Sequence, residues 1–257
     1  MTIKKLYILL LKKLEIGSAI AVRLTKYTGK STVFIHPKHF LTQKPWYISS
    51  LKKGDAILDL GSGNGQSAIK ASRYVKKVVG LEIDDGLIEI AKKSIKIEKL
   101  KNVNFIKADL EKNLDFKNDS FDKILFLDVL EHLASRDQIL KEIKRILKPN
   151  GVLLVSIPNK DTSWKKLQKS VGINYYSDPD HKIEFGKRDI EVLLEKHGFN
   201  IQKFSYAPVD TPFRGLYDIV GAFSISIYKI ISTRRSNESL KRPKDASGFE
   251  ILAINTK

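Results

Sequence analysis

Short apolar runs alternate with amphipathic stretches along most of the chain after residue 54. The runs are rich in Val and Ile and almost continuously apolar, which is typical of strands covered on both faces. Seven strands are predicted, at Ala56–Leu60, Lys77–Glu82, Val103–Lys107, Phe121–Leu127, Val152–Ile157, Phe199–Tyr206 and Phe249–Asn255. Helices are predicted between them, at Gly65–Tyr74, Gly86–Glu98, Arg136–Leu147 and Lys187–His197. This alternation indicates an α/β domain with a mostly parallel, doubly wound sheet.

The first 53 residues lie outside this alternation. Met1–Leu14 predicts an amphipathic helix, and Ser31–Pro45 predicts an extended stretch ahead of the first strand. The apolar run within the helix is too short to span a membrane, and no small-residue cleavage site follows it. We interpret residues 1–53 as an N-terminal basic helical cap and residues 54–257 as the main domain.

A second irregular segment, residues 210–247, separates the last two predicted strands. It begins with an apolar run near helical spacing, Phe213–Ile231, and continues as a polar basic tail, Ser232–Gly248. Apolar positions flanked by Arg and Lys are typical of helices that lie in a membrane interface beside anionic headgroups. We therefore predict a basic amphipathic insertion in the main domain.

Composition narrows the possible chemistry. The 257 residues include no cysteine, which excludes disulfides, thiolate metal sites and a cysteine nucleophile, and indicates a reducing, cytoplasmic location. The net charge is +17, which indicates an anionic partner such as nucleic acid, anionic lipid or a phosphorylated substrate. Residues 1–55 carry eleven Lys and Arg against two acidic residues, a net +9. Solvated lysines of a Lys-rich proteome are the alternative explanation.

A glycine-rich turn follows the first predicted strand directly. The sequence GSGNG occupies residues 61–65 and leads into a predicted helix. Glycine permits a sharp turn and lets the backbone come close to a ligand. The spacing G-x-G-x-G differs from the G-x-G-x-x-G of dinucleotide enzymes. The turn therefore predicts a cofactor site, and its spacing disfavours a dinucleotide.

Three carboxylates are predicted at the ends of neighbouring strands. Asp59 precedes the glycines on the first strand, Glu82 closes the second, and Asp109 follows the third. Glu82 can accept both hydroxyls of a ribose, and Asp109 can accept from the amino group of an adenine. Asp59 can orient the loop and a cationic amino-acid group. This set fits an adenosyl cofactor with a positively charged tail, and it would repel a pyrophosphate.

Five motifs follow one another along the chain, LDLGSGNG, GLEID, KADL, FDKILFLDVLEHL and LKPNGVLLVSIPN. Together they resemble the successive motifs of the class I S-adenosylmethionine-dependent methyltransferases. The form DVLEHL resembles the subgroup that includes ubiquinone-biosynthesis O-methyltransferases and many small-molecule or glycan methyltransferases. The resemblance implies a Rossmann-like sheet of seven strands with an antiparallel last strand, S-adenosylmethionine as cofactor, and methyl transfer to an acceptor that the motifs do not identify.

The resemblance also implies which residues bind the cofactor. The methionyl end would be lined by Asp59, Gly61, Ser62, Gly63 and Gly65. Glu82 would hold the ribose, and Ile83 would pack on the adenine. Asp109 and Leu110 would hold the edge of the adenine. Asp128, at the end of the fourth strand, would lie near the methyl group and the amino group of the cofactor.

Two histidines are candidate catalytic bases. Methyl transfer from a sulfonium is an in-line displacement, so the protein must align the acceptor, exclude water and, for a hydroxyl, remove a proton. His132 follows Asp128 and Glu131 just past the fourth strand, at the edge where ligands bind in such sheets. His181 lies in a D-x-x-H stretch, which in similar family members shapes the acceptor pocket. A helix start for His132 and a loop contact for His181 are the structural alternatives.

The same carboxylate and imidazole groups would suit a divalent metal. The spacing of Asp128, Glu131 and His132 is too short to establish such a site, so the sequence assigns no metal.

The leading hypothesis is methyl transfer from S-adenosylmethionine to an oxygen of a small, lipid-linked or glycan-type acceptor. One alternative is an RNA methyltransferase that uses the basic N-terminal segment as an electrostatic platform. Another is a catalytically inactive, membrane-associated protein that retains the cofactor fold. No N-P-P-Y or D-P-P-Y motif follows the fourth strand, which disfavours methylation of nucleic-acid bases. Packing on the sheet or a dimer surface is one interpretation of the basic amphipathic helices, and an anionic membrane surface as a second partner is the other. The sequence does not determine the oligomeric state.

Overall fold

The computed structural model describes residues 2–32, 34–41 and 44–257. Residues 33, 42 and 43 lie outside the described residues, so the predicted extended stretch Ser31–Pro45 is described only in part. Within it, Pro37–Phe40 forms a 3-10 turn, because Pro37 presets the backbone and the His36 ring accepts from the N–H of Lys38. The prediction of extended chain is wrong for these four residues.

The chain folds into two compact units, which we describe separately. The sheet unit consists of residues 44–158, 180–205 and 249–257, and the helical unit consists of residues 1–43, 159–179 and 206–248. The helical unit is thus formed by three stretches that are far apart in the chain, and the sequence alone does not show that they pack together.

The sheet has seven strands in the order β3-β2-β1-β4-β5-β7-β6. Their bounds are β1 Ala56–Leu60, β2 Lys77–Glu82, β3 Val103–Lys107, β4 Phe121–Leu127, β5 Leu147–Pro158, β6 Phe199–Tyr206 and β7 Gly248–Asn255. Strands β1 to β5 pair in parallel, and the last strand is antiparallel. The predicted Rossmann-like, doubly wound fold is confirmed.

The helices of the sheet unit are α3 Gln66–Ser72, α4 Asp85–Ile97, α5 Arg136–Ile146 and α7 Lys187–Lys196. The central strands β1 and β4 are almost entirely buried, as continuous apolar runs between two helical layers must be. Leu60 pairs with Leu81 of β2 and with Phe126 of β4, so the three strands end at one edge. The strand order changes direction between β1 and β4, and such a switch point is where open α/β sheets bind ligands.

Strand β5 begins at Leu147, whereas the sequence predicted a start at Val152. Asn150 adopts a left-handed conformation with φ of 59°, which lets the chain bend without leaving the sheet. The pairing register with β4 shifts between Phe121 and Lys123, so the irregularity is absorbed as a bulge.

The helical unit contains α1 Ile3–Lys13, α2 Gly17–Tyr27, α6 Ser163–Ser170, α8 Arg214–Phe223 and α9 Ile225–Lys241. The run Phe213–Ile231, predicted as one apolar segment, belongs to two helices, because the Ser224 side chain caps the N–H of Ile227 and begins α9. Helix α9 continues to Lys241, so the predicted polar tail Ser232–Gly248 is largely helical. Helix α6 was not predicted from the sequence.

A buried carboxylate connects three parts of the helical unit. Asp218 on α8 accepts hydrogen bonds from Ser18 Oγ at 2.6 Å and Tyr228 Oη at 2.8 Å, and its Oδ2 lies 3.1 Å from His36 Nε2. Burial raises the pKa of Asp218, but the hydrogen bond and charge of His36, with the two hydroxyls, outweigh it and hold the pKa below the ordinary value. The network therefore stabilises the charged carboxylate inside the unit.

Candidate cofactor and acceptor site

The glycine loop lies at the carboxyl end of β1. Gly61, Gly63 and Gly65 have φ of 66°, 53° and 81°. A Cβ on Gly65 would lie 2.6 Å from Phe105 Cζ, whereas a Cβ on Gly63 would meet no atom within 4 Å. The loop is therefore tightly packed at Gly65 and open at Gly63, where a ligand can approach the backbone.

Glu82 at the end of β2 holds this loop in place. Its Oε2 accepts the N–H of Gly63 at 2.8 Å, and its Oε1 accepts the N–H groups of Ile83 at 2.8 Å and Asp84 at 3.0 Å. A carboxylate offers about four acceptor positions, so one position is left by these contacts. The predicted ribose contact stays a prediction, and the structure adds a loop-fixing role that the sequence did not indicate.

Asp59 is buried beneath the loop. Burial raises its pKa to about 7, with the nearby charge of Glu82 adding to the rise and a hydrogen bond from the Ala68 N–H opposing it. Within the described part of the chain, Asp59 Oδ2 and Ser62 Oγ are buried without a hydrogen-bond partner. Buried polar atoms are normally satisfied, so these two point to a bound group that would satisfy them.

The predicted adenine contacts follow β2 and β3 in the chain. Ile83 is an apolar side chain with 58% of its surface exposed, so it is free to pack on a planar ring. Asp109 accepts the N–H of Glu111 at 2.9 Å and pairs with Lys112 at 3.4 Å, while Leu110 is buried. Glu82 and Asp109 are linked through the backbone, because the Ala108 N–H donates to the Glu82 carbonyl.

Asp128 follows β4 in a left-handed conformation, with φ of 57°. A non-glycine residue there stores about 1 kcal/mol or more of strain, and such positions cluster at functional sites. Ser156 on β5 holds the side chain, because its hydroxyl donates to Asp128 Oδ1 at 2.9 Å. Burial and the charge of Asp128 together raise the pKa of Glu250 on β7 to about 7. The sequence did not single out Ser156 or Glu250.

These features fit S-adenosylmethionine. The two unsatisfied oxygens of Asp59 and Ser62, together with Asp128, can bind the cationic methionyl end, and the open backbone at Gly63 leaves room beside them. The cofactor residues assigned by resemblance thus lie on one edge of the sheet, at the ends of β1, β2, β3 and β4. The individual contacts stay predictions.

The two candidate bases lie together. The rings of His132 and His181 contact each other edge to face, with centroids 4.6 Å apart. His181 Nε2 lies 3.9 Å from Oε1 of the buried Glu131, and its Nδ1 lies 2.9 Å from Glu184 Oε1. The sequence predicted His132 and His181 separately and missed Glu184, although H-x-x-E spacing was visible.

The cluster adjoins the glycine loop through one residue. A Cβ on Gly61 would lie 2.6 Å from Val129 Cγ2, so Val129 lies directly against the loop. Glu131 and His132 follow in the 3-10 turn Leu130–His132. His132 therefore lies close, along the chain, to the point where the methyl donor is expected, and His181 contacts it in space.

A family model described as a methyltransferase domain matches residues 51–203. The match covers more than half of the chain, and the chain belongs to this family. The fold, the glycine loop and this match define a class I S-adenosylmethionine-dependent methyltransferase, as the sequence motifs predicted.

Two curated relatives carry named activities. The chain is 32% identical over 111 residues to the ubiquinone/menaquinone biosynthesis C-methyltransferase UbiE of Haemophilus ducreyi, which covers 42% of each chain. It is 33% identical over 133 residues to the sterol 24-C-methyltransferase of Eremothecium gossypii, which covers 50% of this chain and 34% of the relative. The chain therefore spans less than half the length of these relatives.

A solved methyltransferase structure shows the same fold. The S-adenosylmethionine-dependent methyltransferase from Methanosarcina mazei superposes with a TM-score of 0.58 and 22% identity, covering 83% of this chain and 98% of that one. At this level of identity the likeness concerns the fold alone.

Proposed function

We propose that this protein transfers the methyl group of S-adenosylmethionine to an oxygen of a small, lipid-linked acceptor at an anionic membrane surface. The observation that carries the proposal is the cluster of Glu131, His132 and His181, of which the first two come directly after the segment packed against the glycine loop. A hydroxyl acceptor must lose its proton as it attacks, and a positioned imidazole is the commonest group that accepts one.

The cofactor supplies an electrophilic methyl group on a sulfonium. Asp59 and Asp128 offer negative charge to its cationic end, and Glu82 keeps the glycine loop in shape. Glu184 holds Nδ1 of His181, which fixes the ring and directs Nε2 toward Glu131. This contact makes His181 an oriented base.

The helical unit supports the membrane part of the proposal. It carries 19 Lys and Arg against 7 Asp and Glu, a net +12 of the chain's +17. Helix α1 also exposes an apolar stripe at the spacing of one helical face, formed by Ile3, Leu6, Tyr7 and Leu10. Basic charge beside an apolar helical face fits an anionic lipid surface. Within residues 2–32, 34–41 and 44–257, no helix has both the length and the apolar character needed to cross a membrane.

The names of the relatives also support a lipid acceptor, since they refer to ubiquinone and menaquinone biosynthesis and to sterols. Both names specify methylation at carbon, whereas we propose oxygen, because two histidines beside a carboxylate provide the proton acceptor that a hydroxyl needs. The site of methylation is therefore the first point to test.

The experiment incubates the full chain with methyl-labelled S-adenosylmethionine, anionic vesicles and fractionated lipid extract. We expect label in the lipid fraction, released by hydriodic acid as methyl iodide, which is the behaviour of an O-methyl group. Label that resists this cleavage would contradict the oxygen acceptor, and label in RNA would overturn the lipid acceptor. As a control, Glu82→Ala should weaken cofactor binding by about 1–3 kcal/mol, because charge-assisted hydrogen bonds are lost.

Vesicle flotation tests the binding of the protein to an anionic membrane surface independently of methyl transfer. Leu6→Glu with Leu10→Glu should release the protein from phosphatidylglycerol vesicles, because two charges enter the exposed face of α1. The matched control is Ile97→Glu, which changes an equally exposed residue on α4 of the sheet unit and should leave flotation unchanged. Equal binding of wild type to neutral phosphatidylcholine vesicles would contradict an electrostatic contribution.

A further inference from the structure

We propose that Glu131, His132 and His181 bind one divalent transition-metal ion next to the glycine loop. One ligand atom from each of the three residues lies within 4.8 Å of the others. The sequence assigned no metal, because the spacing of Asp128, Glu131 and His132 was too short to establish a site, and His181, about fifty residues further along the chain, was not considered as a ligand.

The distances between the ligand atoms fit a shared ion. Glu131 Oε1 and His181 Nε2 are 3.9 Å apart, which is too long for a hydrogen bond. Two ligands at about 2.1 Å from a shared ion lie roughly 3 to 4.2 Å apart, depending on the angle between them. The pair already has this separation, and a side-chain shift of less than about 1 Å brings all three atoms within it.

The surroundings of His181 match those of a metal-binding histidine. Its Nδ1 lies 2.9 Å from Glu184 Oε1, and both side chains are buried. Histidines that bind metals with one ring nitrogen usually donate the other to a carboxylate, which fixes the ring and strengthens the ligand. Glu184 is therefore assigned as a positioning residue behind the site.

The backbone holds the two ligand-bearing segments together. The Glu131 carbonyl accepts the N–H of Lys182 at 2.9 Å and the N–H of Ile183 at 3.3 Å. These bonds fix His181 against the turn that carries Glu131 and His132 before any ion arrives. Such preorganisation lowers the cost of gathering ligands from distant parts of the chain.

The ligand set indicates the kind of ion. Two imidazoles and one carboxylate suit Zn²⁺, Co²⁺ or Ni²⁺, whereas Mg²⁺, Ca²⁺ and Mn²⁺ prefer oxygen ligands. Three protein ligands leave coordination positions open, which is the arrangement of catalytic rather than structural sites. Once an ion is bound, both imidazoles are ligands and no longer proton acceptors. If the proposed function holds, the ion would take over their role by lowering the pKa of the acceptor hydroxyl that it coordinates, and the released proton would pass to water.

The test uses the chelator-stripped full chain without cofactor or acceptor, so it does not depend on methyl transfer. Titration with Co²⁺ should give one tightly bound ion per chain with a visible absorption spectrum, and Zn²⁺ should displace it in calorimetry. Glu131→Gln should weaken binding by at least about 100-fold, because it removes the anionic ligand. Glu184→Gln should weaken it by about 10- to 100-fold, as loss of a supporting carboxylate does.

The control variant is His39→Ala, which removes a histidine of the helical unit and should not change metal affinity. Cofactor affinity and circular dichroism are measured for each variant, and His132→Asn replaces Glu131→Gln if the latter fails to fold. Wild type that binds none of the three ions at millimolar concentration, or variants that bind as tightly as wild type, would overturn the proposal. Metal binding without any methyl transfer would instead count against the proposed function alone.

Discussion

The sheet unit and the helical unit differ in what they do with their apolar residues. In the sheet unit, Ile57, Leu58 and Leu60 of β1 are completely buried. In the helical unit, Ile3 and Tyr7 expose 88% and 61% of their surface on one side of α1. Each Å² of apolar surface that is removed from water stabilises a folded unit by about 25 cal/mol. An apolar stripe that stays exposed therefore points to a partner that covers it. The difference suggests that the sheet unit is built for the cofactor and the helical unit for a surface.

The two units also use glycine differently. In the sheet unit, Gly65 in the loop after β1 meets Phe105 of β3, within the consecutive elements from β1 to β3. In the helical unit, Gly17 of α2 meets Gly215 of α8, about two hundred residues further along the chain. A Cβ on Gly17 would lie 2.5 Å from the Gly215 carbonyl oxygen, so the two helices cross at close range. Close packing through glycine thus spans about forty residues of chain in the sheet unit and about two hundred in the helical unit.

The largest effect is expected from Gly65→Ala. The new Cβ would overlap Phe105 and occupy a left-handed conformation, and together these cost about 3 kcal/mol or more. Gly63→Ala is the matched control, because it meets the same backbone strain with no clash and should cost only about 1 kcal/mol. Chemical denaturation measures both. If both variants lost the same free energy of unfolding, the packing of Gly65 against Phe105 would contribute nothing to stability.

A smaller effect, about 1–3 kcal/mol, is expected from Gly215→Ala in the helical unit. The added methyl group would overlap the Leu14 carbonyl oxygen and approach Gly17, so α8 must move away from α2. Hydrogen exchange should show faster opening in both helices. Gly54→Ala in the sheet unit serves as control, since its Cβ meets nothing within 4 Å and its backbone is not left-handed. Unchanged protection in α2 would contradict the close crossing.

Local patterns predict much of the sheet unit. Strands β1 to β4 have the bounds that their apolar runs predict, because each run is short and ends in a glycine, an acid or a turn. The loop glycines and Asp59 were found in the same way, since their chemistry depends on neighbours in the sequence. The bend at Asn150 escaped prediction because a bulge depends on the partner strand.

Long-range contacts explain what the sequence did not show. Glu184 and Glu131 matter to the candidate site only because the fold brings His181 beside both of them. The Gly17 and Gly215 crossing depends on two helices that are distant in the chain, and no local pattern marks it. The break at Ser224 was readable in principle, since serine is a good helix cap, but the surrounding apolar residues concealed it.

The smallest predicted effect concerns pH and the buried carboxylate of the sheet unit. Burial raises the pKa of Asp59 to about 7, so the folded protein without cofactor prefers the neutral form. The contribution of Asp59 to stability is present below its unfolded pKa of about 3.9 and is lost as pH rises through 7. A cationic cofactor prefers the charged form, so its affinity should rise about tenfold per pH unit below pH 7, or about 1.4 kcal/mol.

Calorimetry between pH 5.5 and 7.5 measures this slope, because the amino group of the cofactor keeps its proton below a pKa of about 7.7. The Asp59→Asn variant should bind the cofactor more weakly, and its cofactor affinity should no longer change with pH. Glu250→Gln is the control, because burial and Asp128 raise the pKa of Glu250 to about 7 as well, yet its side chain is not placed beneath the glycine loop. If Glu250→Gln abolished the slope and Asp59→Asn kept it, the titrating group would be Glu250, and Asp59 would not be the partner of the cationic end.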